Sequence, residues 1–473
     1  MTTTAVTSGG VVIQPASFRH GIHPDEHKER TEHLEVERLP FVSSYILPLS
    51  QHLGAPCRAV VTAGQSVTRG QMIAEPGGFV SPTLHSPVAG RVANVGSHRH
   101  PNGSMVQAIE IKADPFDDQT IHGPAGSTLK DWYDLSTDDF IARVQQSGLV
   151  GMGGAAFPTH VKYKLPDGKR CERLVINGCE CEPYLTCDHR LMVEQPDAVV
   201  QGACMVATKL NADQVVIGVE LNKLDAIVAL EEACDRYRDQ ATQAGRPIAF
   251  DLAVMPLKVK YPQGAEKMLI KALFGEEVPA GKLPLDLNIV VNNVGSMAAI
   301  SDYFLRSQPV IERLLTVSGS GVIRPANLLV PIGTPVREVL QHCGLRTDTR
   351  QVIMGGPMMG QPLASLDVPV LKGTSGLLAF TEREVVHSSE YACVRCGRCL
   401  EACGNFLNPS RLARLARVGR LDELNGVHIM DCVECGACTF TCPSGIPIVH
   451  LIRAAKSAIR ARQAKERRNE TKK

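Results

Sequence analysis

Cys393-Val-Arg-Cys396-Gly-Arg-Cys399-Leu-Glu-Ala-Cys403, followed by Cys432-Val-Glu-Cys435-Gly-Ala-Cys438-Thr-Phe-Thr-Cys442-Pro443, is one cysteine pattern written twice. Three thiols spaced two residues apart converge when the backbone curls, and can hold three corners of an iron–sulfur cube. The fourth, three residues later, has entered the next helix and points at the neighbouring cluster. The pattern predicts two [4Fe–4S] clusters with crossed ligation: Cys393, Cys396, Cys399 and Cys442 around the first, and Cys432, Cys435, Cys438 and Cys403 around the second. Gly397 and Gly436 allow the loops to turn tightly around sulfide. Zinc also takes paired cysteines, but four ligands satisfy it and the further regular thiol in each run would be surplus. One position departs from the pattern: Gly404 follows Cys403, where proline follows Cys442. The chemistry implied is electron transfer.

The rest of the chain sets limits on where such chemistry operates. A length of 473 residues with 44% hydrophobic content predicts about three or four domains with proper cores. A net charge of +1 gives no global reason to expect nucleic acid. Sixteen cysteines in a long chain, half of them in metal spacing, point to a reducing compartment rather than to disulfides. Met1 to Ser17 lacks a basic n-region and a long apolar stretch, and no window of about 18 apolar residues occurs. These features predict a cytoplasmic chain without its own transmembrane segment, any membrane association being peripheral. Two basic features stand out. Arg411, Arg414, Arg417 and Arg420 fall at steps of three on a predicted helix, placed to offset cluster charge, to dock an acidic redox carrier, or simply as a solvated helix face. From Arg453 to Lys473, nine Lys or Arg face two Glu, a frayed helix end that is either solvated or docks an acidic partner or anionic lipid.

The order of parts is read as an N-terminal arm (1–38), a β-sandwich (39–113), an α/β domain (135–310), a small α+β module (311–383), the two-cluster domain (384–452) and the basic tail (453–473). The arm carries His20, His23, His27 and His33, read as scattered surface histidines. Short strands such as Ala59 to Val61 and His85 to Val92, punctuated by Gly and Pro, resemble the flattened sandwich of biotinyl and lipoyl carrier domains. Those carriers attach their cofactor to a hairpin lysine, and none lies between Lys28 and Lys112; the fold is expected without the swinging arm. In the α/β stretch, Leu174 to Ile176, Gln214 to Gly218, Leu252 to Val254 and Asn288 to Asn292 read as strands alternating with helices, so ligands are expected at the strand ends.

Gly148 to Lys162, Gly-Leu-Val-Gly-Met-Gly-Gly-Ala-Ala-Phe-Pro-Thr-His-Val-Lys, is the second informative stretch. Gly151, Gly153 and Gly154 leave room for a phosphate or a flat ring to meet the backbone. Phe157 offers an aromatic face, and Lys162 a cation. With Asn177 to Pro183, Tyr261 to Glu266 and Val291 to Val294, this loop resembles the flavin- and NADH-binding subunit of respiratory complex I. The likeness is closer still to the C-subunit family of Rnf-type ion-translocating electron-transport complexes, carried also by Gly21-Ile-His-Pro24, by Cys181-Glu-Pro-Tyr-Leu-Thr-Cys-Asp-His-Arg190 and by the order of domains. The 311–383 module is accordingly expected to be β-grasp-like, of the soluble-ligand-binding type, and the cluster block to be a bacterial ferredoxin-type domain.

The resemblance implies FMN contacts at Gly151, Gly153, Gly154, Lys162, Asn177, Glu180, Tyr261, Gly264, Asn292 and Asn293, and NADH contacts at Phe157, Glu182 and Glu266. Relative to the complex I pattern, Met152 replaces arginine, Cys179 aspartate, Cys181 serine and Ala265 glutamate. Cys179, Cys181 and Cys187 lie close in sequence but lack a fourth thiol in register, and are read as pocket wall rather than a third metal site. Cys57, Cys171, Cys204, Cys234 and Cys343 are read as small buried hydrophobes. The resemblance further implies a peripheral electron-input subunit on the cytoplasmic face of the inner membrane. It would pass electrons between NADH, through FMN, and the clusters, alongside membrane-embedded and other peripheral subunits and with ferredoxin or flavodoxin as redox partner. The alternative is a flavin-free iron–sulfur adaptor that docks ferredoxin and relays its electrons.

Overall fold

The computed structural model describes residues 6–8, 11–13, 15–121, 132–385 and 389–470; parts of the expected arm, residues 386–388 at the start of the expected cluster domain and the last three residues of the expected tail lie outside these. Strands Ser44–Pro48, Met105–Ala113, Gly90–Arg99 and Ser66–Val67 form one antiparallel sheet, and Arg58–Ala59, Met72–Glu75 and Leu84–His85 a second. Alternate residues point inward, as the strand period requires: Tyr45 and Leu47 lie beside their ladder partners Ile111 and Ile109 on the inner face of the first sheet, and with Val92 they share a core with Ile73 of the second. Gly90 is fixed by close approach, since a Cβ there would lie 2.1 Å from the Lys112 carbonyl.

The α/β domain is a four-stranded parallel sheet in the order Asp251–Leu257, Gln214–Glu220, Arg173–Gly178, Ile289–Asn293. Its central strands are continuous apolar runs because helices cover both faces. Helices Pro196–Leu210 and Val294–Arg306 meet at Gly202, where a Cβ would fall 1.9 Å from the Met297 carbonyl. Helix Leu224–Gln243 covers the same sheet. All four strands point the same way, so Asn177, Glu220, Leu257 and Asn293 end along one edge, where such sheets bind ligands.

The next module is a six-stranded sheet whose far edge is not its own. Val36–Arg38, from the N-terminal segment, pairs in parallel with Ala326–Pro331. The segment is thus a strap that joins modules. Ile22 pairs with Tyr261 and Ala16 with Leu257. Buried Lys28 donates to the carbonyls of Glu180 (2.8 Å), Glu182 (3.1 Å) and Leu185. Burial lowers the Lys28 pKa, and the Glu180 carboxylate opposes that shift.

The cluster module packs helix Pro409–Arg417 against Ile448–Glu470 through Leu412, Ile452, Ala455 and Ile459. The segment expected to fray from Arg453 therefore stays packed for two turns. Lys456 is 4% exposed and pairs with Glu434 at 2.6 Å, and Arg453 meets the same carboxylate at 3.3 Å.

Candidate functional site: two thiol nests beside a glycine-lined cleft

All sixteen cysteines are free thiols. One cavity is lined by Cys403, Cys432, Cys435 and Cys438, and another, of about 770 Å3, by Cys393, Cys396, Cys399 and Cys442. The chain thus brings the eight thiols together in two fours, each with one member from the other run. The nest of Cys393 and Cys396 faces solvent, and Arg395, Arg414 and Arg417 stand at its rim. The other nest abuts the α/β domain, and this explains Gly404. A Cβ at that position would sit 2.5 Å from the Met268 sulfur and 3.1 Å from the Phe18 ring, so the loop passes beneath both only without a side chain.

At the strand ends the glycine-rich loop closes on itself, Gly151 N–H donating to the Phe157 carbonyl at 2.8 Å, with Phe157 half-buried. A Cβ on Gly153 would meet only the Asn293 side chain, at 3.6 Å, and Gly154 (φ +103°) has nothing within 4 Å. Lys162 reaches across the sheet edge to Glu266 and to the Val291 carbonyl, each at 2.8 Å. Several expected contact residues are engaged within the chain. Asn177 donates to the Gly264 carbonyl at 2.8 Å and accepts from Cys179 N–H. Glu180 caps helix Cys187–Glu194, accepting from the Asp188 and His189 amides. Asn293 caps Val294–Arg306 through Gly295 N–H and donates to Asp188 at 2.7 Å. Asn292 accepts from the Tyr163 hydroxyl at 3.2 Å, while its buried Nδ2 has no partner among the described residues.

Two expected contacts turn towards the thiol nests. Tyr261 donates to the Cys435 carbonyl. Glu182 accepts from Met358 N–H (3.0 Å) and Met359 N–H (2.9 Å), and burial pushes its pKa up to about 7. The Met358 carbonyl in turn lies 2.8 Å from where a Cβ on Gly436 would stand. Residue patterns gave no sign of this turn. They also missed Asp188, which is held up at about 6 by burial and by the Glu180 charge. Cys179, Cys181 and Cys187 do not converge as a thiol trio; only Cys187 joins Glu180 and Asp188 in a compact group. The five isolated cysteines are all buried.

The residues present fit a flavin nucleotide: glycine positions with open space, a lysine at the strand ends and an orphaned amide donor on Asn292. They fit two iron–sulfur clusters as well, through two groups of four soft ligands.

Comparison with known proteins gives four family matches along the chain: the RnfC barrel sandwich hybrid domain (residues 16–115), the Nuo51 FMN-binding domain (144–302), the SLBB domain (314–362) and the 4Fe-4S dicluster domain (387–446). The C subunit of the proton-translocating ferredoxin:NAD(+) oxidoreductase complex of Clostridium ljungdahlii is 42% identical over 398 residues, 84% of this chain and 84% of the relative. The C subunit of the Na(+)-translocating ferredoxin:NAD(+) oxidoreductase complex of Acetobacterium woodii is 39% identical over 456 residues, 96% of this chain and 99% of the relative. The crystal structure of an NAD+-reducing [NiFe]-hydrogenase in the H2-reduced state shares the fold, with a TM-score of 0.50 and 21% identity over 70% of this chain and 64% of that one. With an FMN-binding domain, a 4Fe-4S dicluster domain and full-length similarity to these relatives, the chain belongs to the RnfC family, the C subunits of Rnf-type ion-translocating ferredoxin:NAD+ oxidoreductase complexes.

Proposed function

We propose that this chain is the electron-input subunit of its complex, passing electrons between NADH, through FMN, and two [4Fe–4S] clusters. FMN supplies the exchange between two-electron hydride chemistry and one-electron transfer. Gly151, Gly153 and Gly154 form the backbone cradle, Lys162 and Asn292 supply cation and donor, and Asn177, Glu180, Gly264 and Asn293 hold the cradle's shape. Glu266 positions Lys162, and Phe157 offers the face on which a base or nicotinamide stacks. The clusters take Cys393, Cys396, Cys399 and Cys442, and Cys432, Cys435, Cys438 and Cys403. The observation that carries this reading is the abutment of one thiol nest on the flavin domain through Tyr261, while the other nest opens to solvent.

The solvent-facing nest is where a ferredoxin or flavodoxin exchanges electrons. Exposed Val394 and Leu400 beside Arg395, Arg398 and Arg414 suit an acidic carrier, whose approach steepens at low salt. No helix among the described residues is long and apolar enough to cross a membrane. Attachment to the cytoplasmic face of the inner membrane then runs through other subunits of the complex.

Anaerobic purification with flavin extraction and iron counting tests the proposal. About eight iron and eight sulfide, with bound FMN and NADH-dependent dye reduction, are expected. Iron without retained flavin or NADH oxidation, even in the assembled complex, would replace this reading with the adaptor.

A further inference from the structure

The cleft beside Gly153 and Gly154 has a second wall, and it comes from the barrel sandwich domain. A cavity of about 440 Å3 is lined by Gly153 to Ala156, by Glu182, by turns of the SLBB module and by Gln51 with the hairpin turn His100 to Asn102. That turn joins strands Gly90–Arg99 and Met105–Ala113, and it faces the glycine-rich loop. The wall is built. Gln51 is 5% exposed, and its Oε1 accepts from Lys372 N–H at 3.1 Å. An amide that accepts through its oxygen must turn its N–H2 the other way, and Nε2 has no partner among the described residues. The turn is also held in place: His100 Nδ1 accepts from Asn102 N–H at 3.2 Å, and the ring is hydrogen-bonded to the Ser50 backbone. Leu53 N–H donates to the Ala156 carbonyl at 3.3 Å, tying this strand end to the glycine-rich loop.

A buried amide donor without an acceptor is destabilising, and a ligand oxygen would relieve that. The lining includes the Glu182 carboxylate and no lysine or arginine, so a pyrophosphate is disfavoured there and a neutral acceptor is favoured. We infer that Gln51 and the His100–Asn102 turn form the outer wall of the dinucleotide subsite, with Gln51 Nε2 donating to a neutral oxygen of the nicotinamide riboside half of NADH. The inference rests on the NADH reading proposed above. It gives the barrel sandwich domain a part in substrate binding that needs no lysine and no swinging arm.

Two variants and one binding experiment test it on the purified holoprotein. Wild-type dye reduction by NADH must be present first; its absence removes the NADH reading itself. Given that activity, Gln51→Leu and Gln51→Glu, which keeps the acceptor for Lys372 N–H but loses the donor, should raise KM for NADH about five- to tenfold, the equivalent of one lost hydrogen bond. Flavin and iron content should stay at wild-type levels, and kcat within about twofold. Hydrogen exchange on the wild-type protein supplies the check that needs no variant: nicotinamide mononucleotide should protect the 100–102 turn and the segment around Gln51, and AMP should not. Unchanged KM in both variants, or no protection by nicotinamide mononucleotide, overturns the inference. Protection by AMP alone overturns it too, because the cavity would then take the adenosine half.

Discussion

The Tyr261 hydroxyl donates a 2.6 Å hydrogen bond to the carbonyl of Cys435, joining the end of the nucleotide-binding sheet to the loop that wraps one thiol nest. The ring is 1% exposed and packs with Ile22, Ala402 and Ala437. Burial, reinforced by the Glu182 charge, pushes the Tyr261 pKa well above its usual value. The hydroxyl therefore stays protonated, and its bond to Cys435 joins the two domains.

Removing that bridge while keeping its shape should slow electron flow without emptying either site. Tyr261→Phe loses about 1 kcal/mol of contact. We expect wild-type iron and flavin content, but bleaching of the clusters after rapid mixing with NADH should be several-fold slower. Bleaching at the wild-type rate would remove this contact from the route.

Crossed grouping of the thiols makes a sharp prediction for single serine variants. Cys403→Ser should damage the cluster held by Cys432, Cys435 and Cys438, and Cys442→Ser the one held by Cys393, Cys396 and Cys399. Electron paramagnetic resonance of the reduced variants separates the two. Damage to the sequence-adjacent trio in each case contradicts the crossing.

Glu182 should give a signature in stability against pH. Burial raises its folded pKa to about 7 from 4.5, so the folded state favours the protonated acid. Its contribution is complete below 4.5 and is lost as pH rises through 7. Glu182→Gln, uncharged throughout, removes that slope, on the order of 3 kcal/mol across the window. Between pH 5 and pH 8 the wild-type Tm should fall further than that of the variant, both measured anaerobically with cofactors bound. Equal falls would mean that Glu182 is ionised throughout. The same variant should also raise KM for NADH with flavin retained, because the Met358–Met359 turn that it holds borders the cleft.

Gly153→Val tests the cradle. A Cβ there makes only an ordinary contact with Asn293, so the chain itself should fold and keep its iron. The larger side chain fills space that a flavin needs. FMN binding and NADH-dependent dye reduction should be lost together, and a variant that still retains FMN would move the flavin elsewhere.

Much of this was legible because chemistry of this kind leaves local marks. Eight thiols at fixed spacing, glycines clustered in the loop between helices Thr137–Gln146 and Thr159–Tyr163, and apolar runs of strand length are all written within a few residues of one another. What stayed hidden depends on residues far apart. Val36–Arg38 looks like polar arm, yet it completes a sheet because its partner strand, Ala326–Pro331, exposes an open edge. Glu182 sits in a motif that the resemblance ties to NADH, but its carboxylate is turned by two amides from another module. Gly404 departs from the cysteine pattern for a reason that appears only when Met268 and Phe18 lie above it. Gln51 carries no motif at all.

The strap formed by residues 15–38 also sets an order of biosynthesis. It precedes its partners in the chain, and these include the Gly319 carbonyl, met by Arg30, and the Cys403 carbonyl, which His20 Nδ1 approaches at 3.3 Å from 383 positions earlier. The full set of strap contacts is therefore complete only after the first cysteine run has been translated. Its contacts with Leu257, Tyr261 and the carbonyls of Glu180 and Leu185 come within reach earlier, and the one with Cys403 waits for the cluster domain. A change that loosens the strap would therefore weaken the joining of the modules, a defect of assembly rather than of any one site.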